Sequence, residues 1–504
     1  MMEIYYSVNQ LIKKLTKQEI NFLKKYLSVF VQTYGSSYET KLLLIFNAIK
    51  DNSNNNFFQI KKILPYECTN ATFEKQLQRL YNKLLDCLCM DQNIKRRNQY
   101  SSRAIARLSV RKQFIQLQIL LGKGLNIQSV KLLKKIISKT EKLEMFDLLS
   151  ESLKYYLRIN NLLQGKKGEK NILDKLNKSE INREILQKSY EYRIEINNRI
   201  AFIKVKPKSL KYFKSAIINL ESAYNTTSSK EVYFNLLWIK IYVEQLQLNY
   251  YQSNLYAEQL LEFINNTPIV YQKKRLSGVL SNLAYNSLHT SQFKQAINYA
   301  DETEKLIAPF SYNYYSLQDT RFHALYYSEN KNLAYQLAKK LQKTKIEKTV
   351  YHQAKWNYWL AVCYFNKKEY LKAQALLDNV NALKKDKEGW NFSTRILNVV
   401  SSIQLENFIK ADSQIDAIRN FYYRKQGLGA RNNAFLEILL SLQDDYDYDN
   451  TYDKHKDIFN KMKEQKGWYK WEVQTPELFL FDQWFITKMD SKKYIPTYKE
   501  LLSY

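Results

Sequence analysis

The amino-acid sequence predicts an all-α protein, an N-terminal helical bundle followed by an α-α superhelix of antiparallel helix pairs. Three observations predict it. Only 10 Gly and 6 Pro stand among 504 residues, whereas sandwiches, barrels and propellers need turn residues every ~8–12 positions. Apolar residues recur at helical spacing along most of the chain. Hydrophobic residues make up 45% and charged residues 25%, enough for a substantial core and inconsistent with wholesale disorder.

Residues 1–92 read as a separate bundle. Thr16 with Glu19, and Ser36 with Glu39, have the three-residue spacing of capping boxes that open helices. Ile20, Leu23, Leu27 and Phe30 form one apolar stripe, and Leu42, Leu43, Phe46 and Ile49 another. After a polar break comes a short segment, residues 57–64, stopped by Pro65; Phe73, Leu77, Leu80, Leu84 and Leu88 then make a third stripe. Short helix, turn, longer helix resembles the winged-helix class of helix-turn-helix domain, with Lys75, Arg79 and Lys83 on the would-be reading helix. The same order fits a plain helical bundle, and no strand pair for a wing is readable.

From about residue 100 one helical pattern follows another. In one window Leu280, Leu283, Ala284, Leu288, Phe293, Ala296, Ile297 and Ala300 alternate large and small packing residues; in a second, Leu360, Ala361, Tyr364, Tyr370, Ala373 and Leu377 do so. Small Ala at a close-approach position lets two helices cross tightly, and an aromatic fills the gap beside it. These windows resemble the tetratricopeptide repeat (TPR), clearest over residues 280–385. Ala324, Tyr327, Leu333 and Ala334 look like a shortened copy, and Leu237, Trp238, Tyr251, Leu255 and Ala257 like a degenerate one. Ser287 stands where that repeat has Tyr, and its terminal Pro is missing. The resemblance implies a right-handed solenoid that acts as a non-catalytic scaffold, binding a protein partner in its groove. The expected division is a bundle over 1–92, a basic helical segment over 93–140 that opens the solenoid, TPR-like pairs over 141–440, and an acidic loop with a Trp-rich cap over 441–504.

The net charge is +29, and it is uneven. Residues 92–140 hold twelve Lys or Arg and no Asp or Glu. Arg103, Arg107 and Arg111 stand four apart, so a helix sets them in one stripe, with Ile105, Leu108 and Phe114 expected inward. Like charges at that spacing repel, and an acidic or phosphate-bearing partner relieves them. The polyanion-binding candidates are Arg79, Arg96, Arg97, Arg103, Arg107, Arg111 and Lys112, with Lys204 and Lys208 from a second acid-free stretch at 196–220. The competing explanation is a solvated face paired with acids elsewhere. A protein partner, acidic in character, is the first expectation; a nucleic-acid-binding regulator using the bundle and residues 92–140 is the alternative.

Catalytic and metal chemistry finds little footing. His289, His323, His352 and His455 are scattered without HExxH or CxxC, and Cys68, Cys87, Cys89 and Cys363 make no disulfide framework. Asp445, Asp447 and Asp449 imitate a calcium loop, but Asn450 and Lys456 occupy positions that need Gly and Glu. The glycines at 122, 124, 165 and 168 lack phosphate-loop spacing and read as helix ends. Neither a cofactor nor an enzymatic activity is expected. With no readable leader and no apolar run near the ~20 residues a membrane span needs, the expectation is a soluble cytoplasmic protein without membrane insertion.

Overall fold

The computed structural model describes residues 2–34, 37–90, 102–200, 207–328, 330–344, 350–377, 389–423, 429–465, 469, 471, 473 and 475–489. Among these there are 24 helices and no strand. The chain separates into two compact units, Met1–Ser109 and Val110–Tyr504.

The first unit contains α1 (Met2–Lys13), α2 (Lys17–Tyr34), α3 (Ser37–Asp51), α4 (Phe57–Ile63) and α5 (Asn70–Met90). Its core joins Val8 and Ile12 of α1 to Leu23, Leu27, Phe46, Ile49, Phe57, Phe73, Leu77, Leu80 and Leu84. The Thr16–Glu19 capping box is formed: the Thr16 N–H donates to Glu19 Oε2 at 2.6 Å and the Glu19 N–H to Thr16 Oγ1 at 3.3 Å. Asn56 and Gln59 make a second box at α4. Ser36 and the side chains of Phe30 and Glu39 lie outside the described residues. No strand is present among the described residues of this unit, so the winged variant has no wing there.

Helix α6 (Ser102–Gly122) spans the division between the units. The second unit continues with α7 (Asn126–Lys142), α8 (Phe146–Gln164), α9 (Glu169–Ile200), α10 (Pro207–Thr227), α11 (Lys230–Leu246) and α12 (Tyr250–Asn266). Then come α13 (Lys273–His289), α14 (Phe293–Glu304), α15 (Tyr312–Tyr327), α16 (Lys331–Gln342), α17 (Val350–Asn366) and α18 (Tyr370–Leu377). The last are α19 (Trp390–Gln404), α20 (Phe408–Tyr423), α21 (Ala430–Leu442), α22 (Tyr448–Lys454), α23 (Lys456–Lys463) and α24 (Phe481–Ile486). From α7 to α23 most helices pack on the next in sequence, as stacked pairs. Beyond these neighbours α9 touches α11, α13 touches α15 and α17 touches α19. Side-chain contacts link the remaining odd neighbours: Gln245 of α11 bonds Asn282 of α13 at 3.0 Å, Phe322 of α15 stacks on Trp359 of α17 at 4.2 Å, and Phe392 of α19 and Phe435 of α21 line one cleft, so the odd-numbered helices from α9 to α21 form a row.

A chain poor in glycine still has to reverse direction between helices, and one device does it repeatedly. At six junctions among the described residues, a three-residue turn closes with an N–H to the carbonyl five residues back, at 2.8–3.0 Å: Leu125 to Leu120, Met145 to Thr140, Asn249 to Glu244, Gln292 to Ser287, Glu369 to Tyr364 and Asn407 to Ser402. That bond requires a left-handed residue in the middle of the turn. Gly124 supplies it once, at φ 73°, and the other five are Glu144, Leu248, Ser291, Lys368 and Glu406, with φ between 49° and 61°. Each non-glycine there carries a steric cost that Gly avoids.

Of the packing residues read from sequence, Leu283, Ala284, Ala296, Ala361 and Ala373 are buried, and Phe293, Tyr364 and Tyr370 are partly buried against the core that holds Ala296, Ala361 and Ala373. Two sequence readings are corrected. Leu108, expected inward, is exposed. The acidic stretch is in part helical: the Asp447 side chain caps α22 by accepting the Asn450 N–H at 3.0 Å, and Asp445 accepts from the Asp447 N–H at 2.9 Å.

The Trp-rich end, expected to cap the last repeat, reaches much further back. Residues 475–480 have no regular structure and cross the odd row. The Tyr326 hydroxyl of α15 donates to the Leu478 carbonyl at 3.2 Å, and the Tyr358 hydroxyl of α17 to the Pro476 carbonyl at 2.8 Å. Arg431 of α21 grips Glu477 with Nε and Nη2 at 2.6 and 2.7 Å and reaches Asp482 at 3.2 Å. Burial pushes Glu477 up to about 7, with Arg431 opposing and Asp482 adding to the rise. Two carboxylates in a dry site share one guanidinium, and the buried Tyr358 and Tyr327 phenols also interact with Glu477.

Two outcomes follow from these features. Replacing Leu248, whose side chain is exposed, by Gly removes the left-handed cost and should raise unfolding free energy by about 1 kcal/mol in urea titration; no gain would mean that the turn is unstrained. For Glu477 the folded pKa exceeds the unfolded value near 4.3, so its contribution is complete below pH ~4.3 and is lost as pH rises through about 7. The chain should lose about 1 kcal/mol between pH 6 and pH 8 relative to Glu477→Gln, measured as the difference between their two stability profiles.

Candidate functional site

One side of α11 presents Glu231, Phe234, Asn235, Trp238, Tyr242 and Gln245 at spacings of three and four, which places them on a single stripe. Facing stripes come from α9, with Tyr190, Arg193 and Asn197, and from α13, with Arg275, Gly278, Asn282 and Asn286. All three helices belong to the odd row.

The stripes are joined by polar contacts. Arg275 Nη1 and Nη2 donate to the two oxygens of buried Glu231 at 3.0 and 2.7 Å, and the Tyr190 hydroxyl adds a bond to Oε2 at 3.2 Å. Gln245 Nε2 donates to Asn282 at 3.0 Å and to Asn286 at 2.8 Å. The Trp238 indole donates to Asn197 at 3.3 Å. Gly278 is required here, because a Cβ would stand 2.8 Å from the Trp238 ring. From the far side, Glu144 of the α7–α8 turn caps α11, accepting from the Ser229 hydroxyl at 2.7 Å and the Lys230 N–H at 3.0 Å.

Arg193 stands out by what it lacks. It is half-buried, with its guanidinium 5.3 Å from the Tyr190 ring and 5.5 Å from the Phe234 ring, yet it makes no hydrogen bond or ion pair with any described residue. Phe234 also carries Arg275, at 4.2 Å on its ring. Burial and then the Arg275 charge pull Arg193 below the usual arginine range. Burial likewise raises the Tyr242 phenol, so that it stays neutral. Two guanidiniums against one carboxylate leave a local charge of +1, and a half-buried guanidinium beside aromatic rings, with donors not taken by any described residue, suits a carboxylate or another anion.

The candidates taken from charge runs lie elsewhere. Arg79, Arg111 and Lys112 are exposed, and Arg103 and Arg107 are half-buried. Arg96, Arg97 and Lys204, and the side chain of Lys208, lie outside the described residues. Within the basic run Lys131 and Lys135 line an open groove of about 480 Å³ with Ile119 and Leu132. Sequence reasoning passed over Arg193, Glu231 and Arg275 because each is a single charge on a separate helix. The readable signal was the mixed polar and aromatic stripe of α11, on a helix with apolar residues all round.

Fold and face together define a helical-repeat protein, built from stacked helix pairs whose odd row carries polar contacts. No protein-family model matches the chain, and no curated protein matches it. Among solved structures it is similar to one titled "Crystal Structure of the Apo Form of RapI", at 14% identity and a TM-score of 0.43, over 70% of this chain and 90% of that one.

Breaking a buried ion pair from one side strands the other charge. Glu231→Ala should therefore destabilise the second unit by roughly 3–5 kcal/mol, seen as a lowered urea midpoint, whereas Arg111→Ala, at an exposed position, should change it by less than about 0.5 kcal/mol.

Proposed function

We propose that the chain is a non-catalytic, TPR-like scaffold of the cytoplasm that binds a protein partner along α9, α11 and α13. The partner presents an acidic group to Arg193. One observation carries this reading: a half-buried guanidinium near two aromatic rings and beside a second arginine makes no hydrogen bond or ion pair with any described residue. The rings fix its direction at little entropic cost, so a carboxylate arriving there meets a preformed donor set rather than a mobile side chain. The wider positive charge raises the encounter rate with an acidic partner without specifying it.

The test titrates the purified chain with fluorescein-labelled decapeptides of alternating Glu and Leu, and of alternating Lys and Leu, beside a generic DNA duplex. Binding of the acidic peptide alone, weakened at least tenfold by Arg193→Ala and unchanged by Arg111→Ala, is the expected result. Equal affinity in the Arg193→Ala chain would overturn the assignment of the site. Binding to DNA alone, with an affinity falling steeply in salt, would move the function to the basic run.

A further inference from the structure

The odd row has a second stretch, formed by α15, α17, α19 and α21, and it is covered. The cover is residues 476–482, with the sequence Pro-Glu-Leu-Phe-Leu-Phe-Asp. The way it is held differs from helix packing. Tyr326 and Tyr358 donate to its main-chain carbonyls, and Trp471 closes on the Glu477 carbonyl at 3.0 Å. Its side chains seat separately: Phe479 meets Phe365 edge-on at 4.9 Å, Phe481 lies 4.8 Å from Phe435, and Glu477 enters the fork of Arg431. The fit leaves a cleft of about 10 Å³ beside Glu477 and Phe479, no more than one water.

Main-chain acceptors bound by side chains of the groove, pockets for successive residues and one charged anchor are the features by which grooves take extended peptides. Within the segment the Leu478 N–H returns to the Pro476 carbonyl at 2.9 Å, and Phe481 and Asp482 open α24, so the groove's side chains supplement these local bonds at the Pro476 and Leu478 carbonyls.

We propose that α15, α17, α19 and α21 form a docking surface for an extended peptide that offers a carboxylate to Arg431 followed by two aromatic side chains two residues apart. The chain's own residues 476–482 hold that surface shut. A partner with this chemistry binds by displacing the segment, so its affinity for the intact chain is reduced by the high effective concentration of the tethered competitor. This surface is separate from the face around Arg193, and its failure would leave that reading untouched.

Two measurements on the full chain decide it. The first is native hydrogen exchange. If the segment opens on its own, amides of residues 477–482 exchange at least tenfold faster than those in the middle of α17 and α19; exchange of all three at one common rate would make the segment part of a single cooperative core and overturn the proposal. The second uses a fluorescein-labelled peptide with the sequence of residues 475–485. Glu477→Lys places a cation against Arg431 and releases the segment, so the variant should bind this peptide at least tenfold more tightly than the natural chain. A peptide carrying Lys in place of its Glu should not bind. A folded variant with no gain in affinity, or a variant that loses its helical circular dichroism, refutes the docking surface.

Discussion

The second unit depends on a three-residue reversal. An N–H bonded five residues back forces a left-handed residue into each of six turns, and this sets the direction from which the following helix returns. Repeating one turn is what lets helix pairs stack with their odd members in a row. Once the row exists, residues far apart in sequence, such as Tyr190, Glu231 and Arg275, fall within bonding distance of one another. Glu144 shows the economy of the arrangement, since its backbone makes one turn while its carboxylate caps a helix that begins 86 residues later.

Much of the fold was legible because helical spacing is local. The pairs around Ala284 and Ala296, and around Ala361 and Ala373, announced themselves through small residues that only a close crossing explains. The Thr16–Glu19 box was readable for the same reason, since both partners lie within one helical turn. Helix α1 was not read, although Tyr5, Val8 and Ile12 are all buried; its polar residues obscured a short stripe. The turns were hidden as well, because Glu, Leu, Ser and Lys stand at left-handed positions where glycine would have marked them. The acidic stretch misled in the opposite sense, as Asp447 is a helix cap whose neighbours looked like loop chemistry.

The candidate site was less legible than the fold, and the cause is electrostatic. A run of like charges is conspicuous in sequence but is mostly solvated, whereas a charge that acts does so by being desolvated among a few chosen neighbours. Arg193 on α9 and Arg431 on α21 are each separated from their partners by helix boundaries, so no spacing rule connects them. The two arginines also differ instructively. Arg431 is buried with two carboxylates, while Arg193 has aromatic faces and no acid bonded to it. One guanidinium is paired with carboxylates of its own chain, and the other is not bonded to any described residue.

The covering of α15 to α21 also fixes an order of events during synthesis. Tyr326 and Leu478 are 152 residues apart, so the ribosome releases the helices long before the strip that shields them. Through that interval the rings of Tyr327, Tyr358 and Phe365 face either water or whatever else is at hand. A nascent chain of this design is open to capture by holding chaperones at one stretch of its surface until residues 476–482 emerge and close over it.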